Sequence, residues 1–134
     1  MPDRGGRDVL VVEDEPVPRS VMELVLTHAG YTVTAVGNVE AALAAVAGHT
    51  FGAIVCDIRM PGRNGLDFYR ALELGHPRLA QRVVFVTAVV AMPGISELLA
   101  RTGRPVLEKP YAIRALVDTV ARLVDQPPAP GAMI

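Results

Sequence analysis

Ala53-Ile54-Val55-Cys56-Asp57-Ile58-Arg59-Met60-Pro61-Gly62 is an apolar run that ends in a carboxylate and passes at once into a Pro-Gly turn. An uninterrupted apolar run of this length reads as a strand buried on both faces, which is how strands of parallel sheets look. Asp57 then stands at the carboxyl end of that strand. In open α/β sheets the carboxyl ends of the strands are where ligands bind. Asp57 is therefore the first candidate for chemistry, as a phosphoryl acceptor.

Outward from this stretch, strand and helix signals alternate. Val9-Leu10-Val11-Val12 is a short β-branched run that stops at Glu13-Asp14-Glu15 and Pro16. Residues 17–29 place Val21, Leu24, Val25 and Leu26 at helical spacing, closed by Gly30. Residues 31–35 read as a strand, and Asn38 as the N-cap of an Ala-rich helix reaching about Gly48. The strand at 51–56 is followed by an amphipathic helix over 64–75, burying Leu66, Leu72 and either Phe68 or Tyr69. A fourth strand, 83–86, ends in Thr87, and a weaker helix spans 94–102. A fifth strand, 105–108, ends in Lys109-Pro110. The last helix, 112–125, is expected to bury Ile113, Leu116, Val117, Val120 and Val124.

Five such alternations predict an α/β fold, a flavodoxin-like doubly wound (βα)5 architecture with a five-stranded parallel sheet of order 2-1-3-4-5. Residues 1–7 are read as a flexible N-terminus, 8–125 as the single domain, and 126–134, with Pro127, Pro128 and Pro130, as a Pro-rich tail. A chain of 134 residues, 51% hydrophobic and 20% charged, is long enough to bury one core without staples. The net charge of −1 gives no basic field for nucleic acid or acidic membranes. No apolar run is long enough to span a bilayer, and the N-terminus lacks a signal-peptide core, so a cytoplasmic location is expected. The single cysteine, Cys56, excludes an internal disulfide and a Cys-based metal cage.

The residues just past the strands are Glu13 and Asp14, Asp57, Thr87 and Lys109. With strands one and three adjacent, three carboxylates converge. Two like charges about 4 Å apart repel by roughly 4 kcal/mol at an effective dielectric of about 20. Such a cluster needs a cation or raised pKa values. All-oxygen ligands suit Mg²⁺ or Mn²⁺. Lysine and metal would neutralise phosphoryl oxygens, and Thr87 could donate a hydrogen bond to them.

Four elements in register, Val12-Glu13-Asp14-Glu15, Asp57-Ile58-Arg59-Met60-Pro61 with Gly65, Thr87-Ala88 and Lys109-Pro110, make residues 8–125 resemble the response-regulator receiver domain, the CheY-like superfamily. The resemblance implies a phosphorylation-activated switch of two-component or phosphorelay signalling. Asp57 would accept a phosphoryl group from a phosphohistidine on a sensor histidine kinase or a histidine phosphotransfer protein. Asp14 and Asp57 would bind Mg²⁺ (or Mn²⁺), Glu13 would do so through water, and the Arg59 backbone carbonyl would add a ligand. Thr87 would move toward the phosphoryl group, Lys109 would pair with it, and the Lys-Pro bond would be cis. Residues 102–110 resemble receivers attached to hybrid sensor kinases. As no output domain follows residue 125, a downstream protein is expected to read the state. Met1 and the tail favour a standalone chain.

The chain departs from the family at Val106, where an aromatic switch residue is usual. Arg59 and Val89 occupy positions that tune phosphoryl lifetime in the family; Arg59 reads either as a cation covering the site or as one pointing to water. The apolar loop 88–94 reads either as a docking surface or as a loop folded onto the core. His28, His49 and His76 form no ligand cluster, Cys56 reads as a small buried hydrophobe, and Glu15 and Glu108 as rim charges. Arg19, Arg78 and Arg101 are dispersed. The competing function is an Mg²⁺-dependent small-molecule phosphatase or phosphotransferase with an aspartyl-phosphate intermediate. Haloacid-dehalogenase-like enzymes place a second Asp two residues after the first, where this chain has Arg59. A degenerate receiver acting only by protein contacts would not need Glu13, Asp14, Asp57, Thr87 and Lys109 together. The domain is thus expected to catalyse only its own phosphorylation and dephosphorylation.

Overall fold

The computed structural model describes residues 6–60, 62–88 and 94–125. Pro61, Val89, the centre of the 88–94 loop, most of the N-terminal stretch and the Pro-rich tail lie outside the described residues.

Five strands, β1 (Asp8–Val12), β2 (Thr32–Val36), β3 (Ala53–Asp57), β4 (Val83–Thr87) and β5 (Val106–Glu108), pair in parallel in the order β2-β1-β3-β4-β5. The helices are α1 (Pro16–His28), α2 (Val39–Gly48), α3 (Gly65–Gly75), α4 (Pro77–Ala80), α5 (Ile95–Thr102) and α6 (Ile113–Asp125). The expected flavodoxin-like fold is the observed one. Side chains alternate along each strand, so the two apolar sets divide between two cores. Leu10, Val12, Ile54, Cys56, Val83 and Phe85 pack with α2, α3 and α5. Val9, Val11, Ala53, Val55, Val84 and Val86 pack with α1 and α6.

The junction from β3 to α3 sets the position of Asp57. Asn64 accepts a bond from the Asp67 N–H (3.0 Å) and Asp67 accepts one from the Asn64 N–H (2.9 Å), a reciprocal cap. The Gly65 N–H donates to the Ile58 carbonyl at 2.9 Å, drawing the first turn of α3 against the end of β3. A Cβ at position 65 would collide with the Asp57 carbonyl oxygen and reach 3.0 Å from Ile58 Cα. Glycine is required there for close approach. Both Phe68 and Tyr69 are buried, so neither is given up to solvent.

Two helices are rotated relative to expectation. On α1 the buried residues are Met22 and Leu26, whereas Val21 and Leu24 are exposed, as is Val17. The helix has apolar residues on several sides, and only the pair four apart meets the sheet. On α6 the buried set is Leu116, Thr119, Val120 and Leu123, while Ile113 is exposed. Thr119 is tolerated in that core because its hydroxyl donates to the Ala115 carbonyl at 2.8 Å. The short α4 went unforeseen. A single turn has no period to detect, and it is started by Pro77 and held by buried Leu79 and Ala80.

Candidate functional site

The ladder of the sheet carries the polar residues to one edge. Beyond the strands themselves, Glu13 N–H donates to the Val36 carbonyl (3.0 Å), Ile58 N–H to Val86 (3.3 Å) and Lys109 N–H to Thr87 (2.9 Å). These bonds join the end of β1 to β2, of β3 to β4 and of β5 to β4, and the parallel pairing of β1 with β3 brings the two groups to one edge. Glu13, Asp14 and Asp57 each offer a carboxylate oxygen, and the three oxygens lie within 4.8 Å of one another. Lys109 Nζ donates to Asp57 Oδ2 at 2.8 Å and to Glu13 Oε1 at 3.1 Å.

Two of the three carboxylates are held by backbone N–H groups. Asp57 Oδ1 accepts the Arg59 N–H at 3.1 Å, and Glu13 Oε2 accepts the Glu15 N–H at 3.1 Å. Glu13 is fully buried and Asp57 is 5% exposed. Burial, then the neighbouring Asp57, pushes the Glu13 carboxyl up to about 7, against the bonds from Glu15 and Lys109. Burial works against the Lys109 ammonium too, but Asp57 and Glu13 outweigh it and its pKa is raised. Lys109 is a cation across the ordinary pH range.

With Glu13 ionised, three carboxylates against one ammonium leave a formal deficit of two positive charges. The donors are all hard oxygens around an open cleft of about 500 Å³, lined by Asp14, Glu15, Asp57, Arg59, Met60, Ala88 and Lys109. A divalent hard cation matches both the charge deficit and the donor chemistry. The residues present fit Mg²⁺.

The five residues predicted from sequence thus share one edge. Thr87 is fully buried at the end of β4 and lies behind the open cleft rather than lining it. Arg59 is exposed at the rim and lines the cleft. Val106 is half-buried and packs against the core on the α3 and α5 side. Cys56 is fully buried, its thiol pushed up by burial and by the charges of Asp57 and Glu13, as expected of a packed hydrophobe. Two contributors escaped the sequence reading. Tyr111 is half-buried near the site; burial raises its phenol and Lys109 opposes that shift. Arg19, grouped there with dispersed surface arginines, is instead bonded to the acidic turn. Its Nη1 donates to the carbonyls of Glu13 (3.0 Å) and Asp14 (3.3 Å).

Fold and site together define a flavodoxin-like α/β domain with a lysine-neutralised acidic cleft at its carboxyl edge. The chain belongs to the response regulator receiver domain family, whose model matches residues 9–121, and so is a receiver domain of two-component signalling. It is 33% identical over 114 residues to the response regulator protein FleR of Pseudomonas aeruginosa, covering 85% of this chain and 24% of that protein. The chain therefore spans about a quarter of that relative's length. Among solved structures, the receiver domain of the Pseudomonas aeruginosa sensor histidine kinase PA1611, described with a magnesium ion coordinated in its active-site cleft, superposes with a TM-score of 0.79. It is 28% identical, over 89% of this chain and 98% of that one. The Thermotoga maritima response regulator TrrA, in complex with Mg²⁺-BeF, gives a TM-score of 0.77 at 25% identity, over 87% of this chain and 98% of that one. Among the described residues, no helix is long and apolar enough to cross a membrane.

Proposed function

We propose that Asp57 accepts a phosphoryl group from a phosphohistidine on a sensor histidine kinase or a histidine phosphotransfer protein, and that the phosphorylated domain is read by a downstream protein. The observation that carries this is the pairing of Lys109 Nζ with Asp57 Oδ2 at 2.8 Å, inside a cluster of three converging carboxylates. Asp14 and Asp57 would hold Mg²⁺ (or Mn²⁺) directly, Glu13 through water, and the Arg59 carbonyl would complete the protein's share. When bound, the metal supplies charge neutralisation between the attacking carboxylate and the incoming phosphoryl oxygens.

An Asp57 carboxylate oxygen attacks phosphorus as the P–N bond to imidazole breaks, and the leaving nitrogen keeps the electron pair and takes up a proton. The Arg59 N–H holds Oδ1 and Lys109 holds Oδ2, so the carboxylate is oriented before the donor arrives. Lys109 then follows the charge onto the phosphoryl oxygens. The Thr87 hydroxyl, just behind, donates to one of them. Hydrolysis by water returns Asp57 to its free carboxylate. The domain thus has no substrate of its own beyond its phosphoryl group.

Incubation with Mg²⁺ and acetyl phosphate, a small-molecule donor, tests the reading by intact-protein mass. One hydroxylamine-labile phosphoryl group is expected, absent from Asp57→Asn and abolished by excess chelator. Unchanged labelling in Asp57→Asn, or labelling that persists in chelator, contradicts it.

A further inference from the structure

Arg19 stands in the first turn of α1, where the helix dipole disfavours a cation, and that turn contains no acidic residue to pair with it. Its guanidinium is turned back instead. Nη1 sits 3.0 Å from the Glu13 carbonyl oxygen and 3.3 Å from that of Asp14, close enough for each of its two protons to serve one carbonyl. The Arg19 backbone N–H meanwhile donates to the Glu15 carbonyl at 3.1 Å. One residue thus gathers the carbonyls of all three consecutive acids.

The space for this side chain is made by a second element. Gly37 follows β2, and a Cβ there would lie 2.8 Å from Arg19 Nη1. Gly37 does not have a positive φ, so its backbone imposes no need for glycine. What a side chain there would meet is the guanidinium, which would have to move off it. The acidic turn is therefore held from two sides, by Arg19 and by the bond from Glu13 N–H to the Val36 carbonyl at 3.0 Å.

The geometry points to Arg19 as a positioning residue for the metal site, with Gly37 as the slot that lets it work. Carbonyl orientation at Glu13 and Asp14 fixes the direction in which their Cα–Cβ bonds leave the turn, and hence where their carboxylates meet Asp57. Arg19 touches neither metal nor phosphoryl group. It acts through the backbone of the residues that do, as outer-shell partners of metal ligands do elsewhere. The inference rests on the proposed Mg²⁺ site.

The test is Mg²⁺ titration by NMR on the wild type, Arg19→Met, Gly37→Ala and the double variant, with Arg101→Met, an exposed residue of α5, as control. Arg19→Met should weaken Mg²⁺ about tenfold, in the range for loss of outer-shell partners. Gly37→Ala should weaken it in the same direction by displacing the guanidinium. The double variant should bind no more weakly than Arg19→Met alone, because both changes break one contact. Arg101→Met should match the wild type. In metal-free protein, the Glu15 amide, bonded to Glu13 Oε2, should exchange faster in Arg19→Met. Binding by Arg19→Met within about twofold of wild type overturns the role, since outer-shell losses exceed that. So does a double variant whose losses simply add. A wild type that binds no Mg²⁺ instead overturns the metal site itself.

Discussion

The two edges of the sheet use their cations differently. At the amino edge, cations end mostly on backbone carbonyls. Arg82 Nη1 donates to Leu123 at 2.6 Å and to Gly52 at 3.4 Å, Arg104 Nε to Val83 at 3.0 Å, and Arg7 to Gly30 at 3.1 Å while stacking 4.4 Å over the Tyr31 ring. Even His49 is matched there, with one acid, Asp8, at 2.6 Å. At the carboxyl edge Arg19 also ends on backbone carbonyls, but Lys109 faces two buried carboxylates and a third stands close by. The first arrangement satisfies groups that folding would otherwise leave unpaired. The second leaves acids in surplus, which costs stability and fits the phosphoryl transfer proposed for it. Changes at the amino edge should therefore act on folding, and changes at the carboxyl edge on phosphoryl transfer.

The largest effect should come from Lys109→Met. Removing one preordered cation from a developing phosphoryl charge should slow acetyl-phosphate labelling by roughly 10²-fold, as loss of one oxyanion donor does. A rate within a few-fold of wild type would move the catalytic burden away from Lys109. Gly65→Ala should blur the division between the edges. Its Cβ meets the Asp57 carbonyl, so it should both lower the free energy of urea unfolding, by about 1–3 kcal/mol as overpacking does, and slow labelling. A loss of stability with labelling untouched would separate the β3–α3 junction from the site. On labelling, Arg82→Met should have the smallest effect of the three. Losing a charged hydrogen bond to Leu123 should cost about 1.5–3 kcal/mol in urea unfolding and leave the labelling rate unchanged. Slower labelling there would erase the contrast between the edges.

What could be read in the chain follows the same division. Strands buried on both faces become unbroken apolar runs, so their ends, and the polar residues just past them, were plain at Asp14, Asp57 and Thr87, while Lys109 follows the half-buried edge strand β5. Alternation of elements and the right-handed crossover rule left few topologies, and the order 2-1-3-4-5 is that of the flavodoxin-like doubly wound sheet. Helix rotation was less legible. With Val17, Val21, Met22, Leu24, Val25 and Leu26 all on α1, several faces looked apolar, and only contact with the sheet selects Met22 and Leu26. Ile113 failed for the same reason, and Thr119 because a polar residue in a core needs a bond no pattern shows. Arg19 was invisible because it binds backbone rather than a charged partner. A cation in a first helical turn, with a glycine after the next strand, was its only trace.

Borohydride trapping reads whether Asp57 itself carries the phosphoryl group. Borohydride reduces an aspartyl phosphate to homoserine, and peptide mass mapping then locates the converted residue. After acetyl phosphate and Mg²⁺, conversion is expected at residue 57 alone. Conversion at Asp14 or Glu13 with residue 57 intact would contradict the account.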